Sequence, residues 1–475
     1  MGRSGYPYIL NNSVIKSNQI FKNKYVMKKQ MLLIVLCALS GSISAQNNAT
    51  ERMLERYLSY VKIESQSQYP NPDDGPDVFP MQEGQKQIAN VIYNEIKGFG
   101  KGVAVKFSPD YYIYAKIPSN MKKKKVPSVM FMAHLDVTPE ANGRGINPQV
   151  HRNYDGGDIA LGNGLILSPT SKQGSHLKDL VGKTIVTSDG TTLTGADCKT
   201  GCAILVTLIE QMLNDKKFKH GDIYFCFSQN EDIGMAAMRM DLSYFDKVPD
   251  MLIDVDGGDY GQFSVANFTA EGRTYLFKGN LAHPSNGKVN GYADARTAMA
   301  YFIGQLPPET HPSNSEGRQG YIHCYAGDTL NGGQDYRISF RIRYFDKEDG
   351  VRYAEYFDNA TKKTLAAFPN VQIVMENKAL QYDNVAYSMH PKTIEVIQQA
   401  AANMGIRMEK VELRAGTTGA MMVAQGLPGG PCIYSGQQAE HSVYEWCCIE
   451  ELVELTGFCK TIVDEISKLT VNVKK

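Results

Sequence analysis

Three short apolar runs, Ser128-Val-Met-Phe-Met132, Ile223-Tyr-Phe-Cys-Phe227 and Met251-Leu-Ile253, most constrain what this chain can fold into. Each has strand length and is apolar at successive positions, the pattern of a strand buried on both faces. A helical stretch, Cys202 to Leu213, lies between the first two. Strands alternating with helices imply an α/β sheet covered on both sides. At 475 residues the chain exceeds the usual size of one hydrophobic core, so two domains are expected.

The second domain announces itself as a change of texture. Ala49 to Val61, with Met53, Leu54, Leu58 and Val61 at helical spacing, and Gln82 to Ile96 both read as amphipathic helices. From about Thr269 to Ala386 strand-like segments appear, such as Arg273 to Phe277 and Tyr336 to Tyr344, with helical stretches at Ala293 to Gly304 and Lys347 to Ala367. The helix-like Pro391 to Asn403 and the apolar Pro431-Cys-Ile-Tyr434 then return to the first texture. Residues 46–268 and 388–475 are therefore expected to form one discontinuous domain, with 269–387 inserted into it.

The first 45 residues hold six basic residues and no acidic one. From Met27, Lys28-Lys29 and the apolar run Met31 to Leu39, ending in small residues at Ser44-Ala45, predict a signal peptide over about 27–45, with residues 1–26 an over-extended start. The run is shorter than the ~20 residues of a membrane span, so no stable membrane anchor is expected. A periplasmic or secreted protein follows. Without this segment 44 basic residues face 50 acidic ones, a net charge of minus six, which disfavours nucleic acid as a partner. Lys122 to Lys125 is the only dense basic cluster and reads as a solvated loop. Eight cysteines remain, with no regular spacing, and an exported chain could pair some of them.

The residues able to carry chemistry sit where the apolar runs end. Met132 runs into Ala133-His134-Leu135-Asp136, and side chains alternate along a strand, so His134 and Asp136 share a face. A hydrogen-bonded histidine and a turn aspartate explain that motif alone equally well. It gains weight from Gly195-Ala-Asp197-Cys-Lys-Thr-Gly201 at a strand-to-helix junction, Asn230-Glu231-Asp232 and Asp254-Val-Asp256-Gly-Gly258 after two further strands, and His441-Ser-Val-Tyr-Glu445 near the end. Singly, Asp197 and Asp232 are explained as helix caps and Asp256 as a turn residue. Together, two histidines and several carboxylates at successive strand ends are the donors that a site for two divalent cations requires, with one carboxylate free to bridge.

The order His-x-Asp, Gly-x-Asp, Glu-Asp, Asp-Gly-Gly, His resembles the co-catalytic zinc peptidases of the aminoacylase and carboxypeptidase type. Within them, Asn153-Tyr-Asp-Gly-Gly-Asp-Ile-Ala-Leu-Gly162, Leu167-Ser-Pro169, Thr187-Ser-Asp-Gly190 and Leu54-Glu-Arg-Tyr-Leu58 resemble the peptidase T family, over about residues 50 to 465. The resemblance implies an α/β catalytic domain with a mixed central sheet flanked by helices, and an inserted α+β, ferredoxin-like lid, often a dimerisation platform, so that a homodimer through the lid is an expectation. It implies two Zn2+ per subunit: Asp197 bridging, His134 and Asp256 completing one position, Asp232 and His441 the other. Two cations about 3.5–4 Å apart activate a shared water and polarise the scissile carbonyl. Glu231 becomes the general base and Asp136 the carboxylate that orients His134. His283 falls where relatives place an oxyanion donor, and Arg343 and Arg414 where they face the substrate's carboxylate or backbone. The implied activity is release of the N-terminal residue from tripeptides or short peptides.

Several positions depart from the family. Cys198 stands where relatives usually have Asp or Asn, after a bond that is typically cis, and offers a thiolate near zinc. Asp232 replaces the more frequent Glu, Thr417-Thr418-Gly419 stands for Thr-Asp-Gly, and Ala293 falls at a substrate-holding Asn, unless a gap restores Asn290. Export also departs from the family, whose members are generally cytoplasmic. Two other readings stay open at this point. One is a related dipeptidase, carboxypeptidase or N-acyl amino acid amidohydrolase; the other is a non-catalytic exported peptide-binding protein.

Overall fold

The computed structural model describes residues 1–2, 47–71, 78–121 and 124–469. The expected signal peptide over 27–45, the start before it and Lys122 and Lys123 of the lysine run lie outside the described residues. Two compact units divide the chain, Met1–Glu55 and Arg56–Lys475. The first contributes helical residues 47–55. Everything that follows belongs to the second.

The three apolar runs become neighbouring strands of one eight-stranded sheet. Val129–His134 lies between Ile223–Ser228 and Met251–Gly257 and is parallel to both. Cys432–Tyr434 continues the parallel set beside Met251–Gly257. Ile113–Ile117 and Ala104–Phe107 extend one side antiparallel, so the sheet is mixed. All six residues of Val129–His134 and of Ile223–Ser228 are buried, as their continuous hydrophobicity requires. Helix Ala196–Asn214 packs over this sheet, beside helix Ile449–Lys468. Because the parallel strands run in one direction, the residues after His134, Ser228 and Val255 emerge at the same edge, where open α/β sheets gather their ligands.

The inserted segment has its own sheet and core. Four antiparallel strands run in the order Tyr321–Leu330, Asp335–Tyr344, Thr269–Lys278, Gln372–Tyr382. Helices Ala295–Ile303 and Lys347–Ala367 cover one face through Ala298, Phe302, Phe357 and Ala360. The second helix has the span that its periodicity predicts, whereas the first starts two residues later because Asp294 caps it, accepting from Thr297 N. Ala293, expected near substrate, is buried in this core and pairs backbone to backbone with Asn280.

Candidate metal centre

His134 closes the central strand and is fully buried. Its Nε2 lies 3.0 Å from Asp197 Oδ1 and 3.4 Å from Asp256 Oδ1. Its Nδ1 lies 3.2 Å from the Asp136 carbonyl and 3.4 Å from that residue's Oδ1. Asp136 therefore does two things. It backs the imidazole, and its carboxylate also accepts the backbone N–H groups of Glu231 at 3.1 Å and Asp232 at 3.3 Å.

Asp197 stands between the two histidines. Its Oδ1 faces His134 and its Oδ2 faces His441 Nε2 at 3.1 Å, while the same Nε2 lies 3.0 Å from Asp232 Oδ1. Burial works against a charge on Asp197, yet the contacts to both histidines outweigh it and hold its carboxyl below the usual range. His441 sits in a backbone conformation with φ 59°, and Glu140 Oε2 lies 2.9 Å from its other ring nitrogen. Hydrogen bonds to Asp197 and Asp232 push its imidazole up to about 12.

Five predicted donors, His134, Asp197, Asp232, Asp256 and His441, thus come together. They form overlapping groups whose ligand atoms lie within 4.8 Å of one another: His134, Asp197, Cys198 and Asp256 in one, Asp197, Asp232 and His441 in another. Asp232 Oδ2 is sealed from solvent with no hydrogen-bond partner, and Asp256 Oδ1, equally sealed, faces His134 Nε2 at 3.4 Å. Unpaired buried carboxylate oxygens are costly, and cations are the natural complement to such a cluster, so the residues fit metal. Glu231 lies beside them on the wall of a cavity of about 580 Å³ that also reaches Phe263, Leu413 and Gly416. Burial, with Asp256, Asp136 and Asp197 adding to it and His134 partly offsetting it, pushes Glu231 up to about 8.

Two supporting carboxylates carry roles that the sequence did not assign. Glu140 backs His441 much as Asp136 backs His134. Glu445 is buried and accepts three backbone N–H groups from the turn that carries Asp197: Thr194 at 2.7 Å, Gly195 at 2.5 Å and Asp197 at 3.0 Å. The available signal was an acid set between aromatic residues Tyr444 and Trp446, four positions after a candidate ligand. The Asp197–Cys198 peptide bond is cis.

The remaining predicted residues lie elsewhere. His283 is exposed, and its Nδ1 caps a short turn by accepting from Ser285 N. Arg343 reaches Gln381 Oε1 at 3.2 Å and stacks over Tyr382. Arg414 donates to the carbonyls of Ser315, Gly317 and Gln319 and stacks over Phe268, so its guanidinium clamps a loop. All eight described cysteines are free thiols, so the disulfides that export would have permitted are not formed among them.

The fold and this donor set define a metal-dependent peptidase. The chain belongs to peptidase family M20/M25/M40, whose model matches residues 189–465. A Peptidase T of Listeria innocua is 31% identical over 422 residues, covering 88% of this chain and 98% of that protein. Among solved structures, the aminopeptidase PepT of Bacillus cereus superposes with a TM-score of 0.64 at 18% identity, over 88% of this chain and 99% of its own. A Bacillus subtilis protein described as a dinuclear metal binding peptidase of the M20 family has a TM-score of 0.60 at 11% identity, over 89% and 99%. The mixed sheet with its lid is the M20 peptidase fold, and the chain is an enzyme that acts on peptides, not a binding protein without catalysis.

One expectation is corrected. The matched relatives are peptidase T enzymes, the cytoplasmic kind that stood against export, so the predicted signal peptide and the periplasmic or secreted location do not stand. Among the described residues no helix is long and apolar enough to cross a membrane.

Proposed function

We propose that this chain is an aminopeptidase that releases the N-terminal residue from tripeptides and other short peptides, using two zinc ions and Glu231 as general base. One observation carries the reading: both histidines converge on opposite oxygens of Asp197, with Asp256 beside one and Asp232 beside the other. His134 and Asp256 would hold one ion and Asp232 and His441 the second, with Asp197 facing both. Bound there, the ions supply Lewis acidity and a water of lowered pKa.

The chain's own residues do the rest. Glu231 takes the proton of the attacking water and returns it to the leaving amine. Asp136 fixes Glu231 and Asp232 by their backbone and His134 by its ring, so a single carboxylate sets base and ligands in register. The cavity's size suits a short peptide. Tyr382, under the Arg343 guanidinium, packs against Gly416 on the cavity wall, which supports Arg343 as the group that receives the peptide's carboxylate. Residues 46–268 and 388–475 act as the catalytic domain and 269–387 as its lid, a division supported by the lid's separate sheet and core. The lid's edge strand Tyr321–Leu330 pairs on one side only, which supports a homodimer through it.

A panel containing a tripeptide, a dipeptide, an N-blocked tripeptide and an acylated amino acid tests this. Zinc-dependent cleavage confined to the free tripeptide, lost in Glu231→Gln, is expected. Undiminished turnover by Glu231→Gln overturns the assignment of the base, and preference for a blocked substrate overturns the aminopeptidase reading.

A further inference from the structure

Cys198 is fully buried next to the bridging aspartate, and its Sγ lies within 4.8 Å of ligand atoms of His134, Asp197 and Asp256. Among the described residues it is the only cysteine that joins such a donor group. Cys202, one helical turn on, instead directs its Sγ to the His134 carbonyl at 3.1 Å. The thiol of Cys198 has a place made for it. A Cβ at position 201 would meet that Sγ at 2.7 Å and the Val255 carbonyl oxygen at 2.2 Å, so glycine there lets the sulfur sit between helix and strand. The Sγ donates to Val255 O at 3.1 Å, one residue before Asp256, whose buried Oδ1 faces His134 Nε2 at 3.4 Å. A cation among these atoms would meet one imidazole, two carboxylates and one sulfur.

We propose that Cys198 Sγ is a ligand of the ion held by His134 and Asp256. This rests on the two-ion site proposed above. On binding, the thiol proton leaves to the buffer, and the contact to Val255 O gives way to a sulfur–metal bond. The two positions then differ in kind. The His134 position carries nitrogen, oxygen and sulfur donors and favours thiophilic cations such as zinc or cadmium over manganese or magnesium, whereas the Asp232–His441 position has nitrogen and oxygen only. Stepwise loading follows, with the sulfur-bearing position filled first.

The full chain, stripped of metal and reloaded with cobalt(II), reports on sulfur directly through the thiolate-to-metal absorption band in the near ultraviolet. The expected result is two cobalt per chain with that band, its loss in Cys198→Ser, and its retention in Cys202→Ser. In chelator competition Cys198→Ser should weaken one zinc by at least about tenfold and leave the other within about threefold. A wild-type chain that holds two cobalt without the band, or a Cys198→Ser chain that keeps it, overturns the proposal. Should Cys198→Ser not fold, zinc-edge X-ray absorption of the wild type decides: a shell at about 2.3 Å beside one at about 2.0–2.1 Å supports sulfur ligation, and the shorter shell alone overturns it. A wild-type chain that takes up no cobalt or zinc sinks the two-ion reading, and this one with it.

Discussion

Replacing Asp136 by Asn tests how far one buried carboxylate organises the centre. The wild-type group faces three donors, the Glu231 and Asp232 backbone N–H groups and the His134 ring nitrogen, and is fully buried. Asparagine matches its shape but offers one acceptor oxygen, so its amide nitrogen must face one of the two backbone N–H groups. A buried donor without an acceptor costs about 1–3 kcal/mol. That strain falls on the segment carrying Glu231 and Asp232, and at about 1.4 kcal/mol per decade it lowers kcat/KM by about fivefold to a hundredfold. Weaker zinc binding accompanies it, since loss of an outer carboxylate typically costs 10–100-fold in affinity. Tripeptide hydrolysis at saturating zinc, together with chelator competition, measures both. A variant within about twofold of wild type in each would refute the role assigned to Asp136.

Three further substitutions have defined outcomes. Glu445→Gln leaves the Asp197 turn short of an acceptor, and chelator competition should read zinc binding weaker by about tenfold or more with the circular dichroism spectrum unchanged. Gly201→Ala places a Cβ against the Val255 backbone, and overpacking of this kind costs about 1–3 kcal/mol, read as a lower melting temperature. His176 is partly buried, which disfavours its charge, but Glu451 at 2.6 Å and Asp179 outweigh burial and raise its pKa above the usual value. Its stabilisation is complete below the unfolded pKa of about 6.5 and lost as pH rises through the folded value, so His176→Gln should cost more stability in urea melts at pH 5.5 than at pH 8.5.

Much of this architecture was legible because continuous hydrophobicity has few structural outlets. Runs at 128, 223 and 251 could only be buried strands, and their parallel arrangement brings His134, Glu231, Asp232 and Asp256 to one edge although they lie far apart in the chain. Strand ends were less legible. Val129–His134 extends two residues past the apolar run because Ala133 and His134 keep their parallel pairing with Phe227 and Ser228. Glu445 and Glu140 were missed because their roles depend on which backbone amide or imidazole faces them, a tertiary fact without periodicity. The contacts of Arg414 were equally illegible: its guanidinium donates to the carbonyls of Gly317 and Gln319, about a hundred residues away. The segment before residue 47 shows the limit of composition: it suggested a targeting role, and the match to peptidase T relatives counts against it.

In the proposed mechanism two ions, held by His134, Asp197, Asp232, Asp256 and His441, make the catalyst. Titrating zinc into the metal-stripped chain while following tripeptide cleavage tests it most directly. The stripped protein should cleave nothing, and activity should rise to a plateau at two zinc per chain. Full cleavage in the presence of excess chelator, with no metal bound, would contradict it.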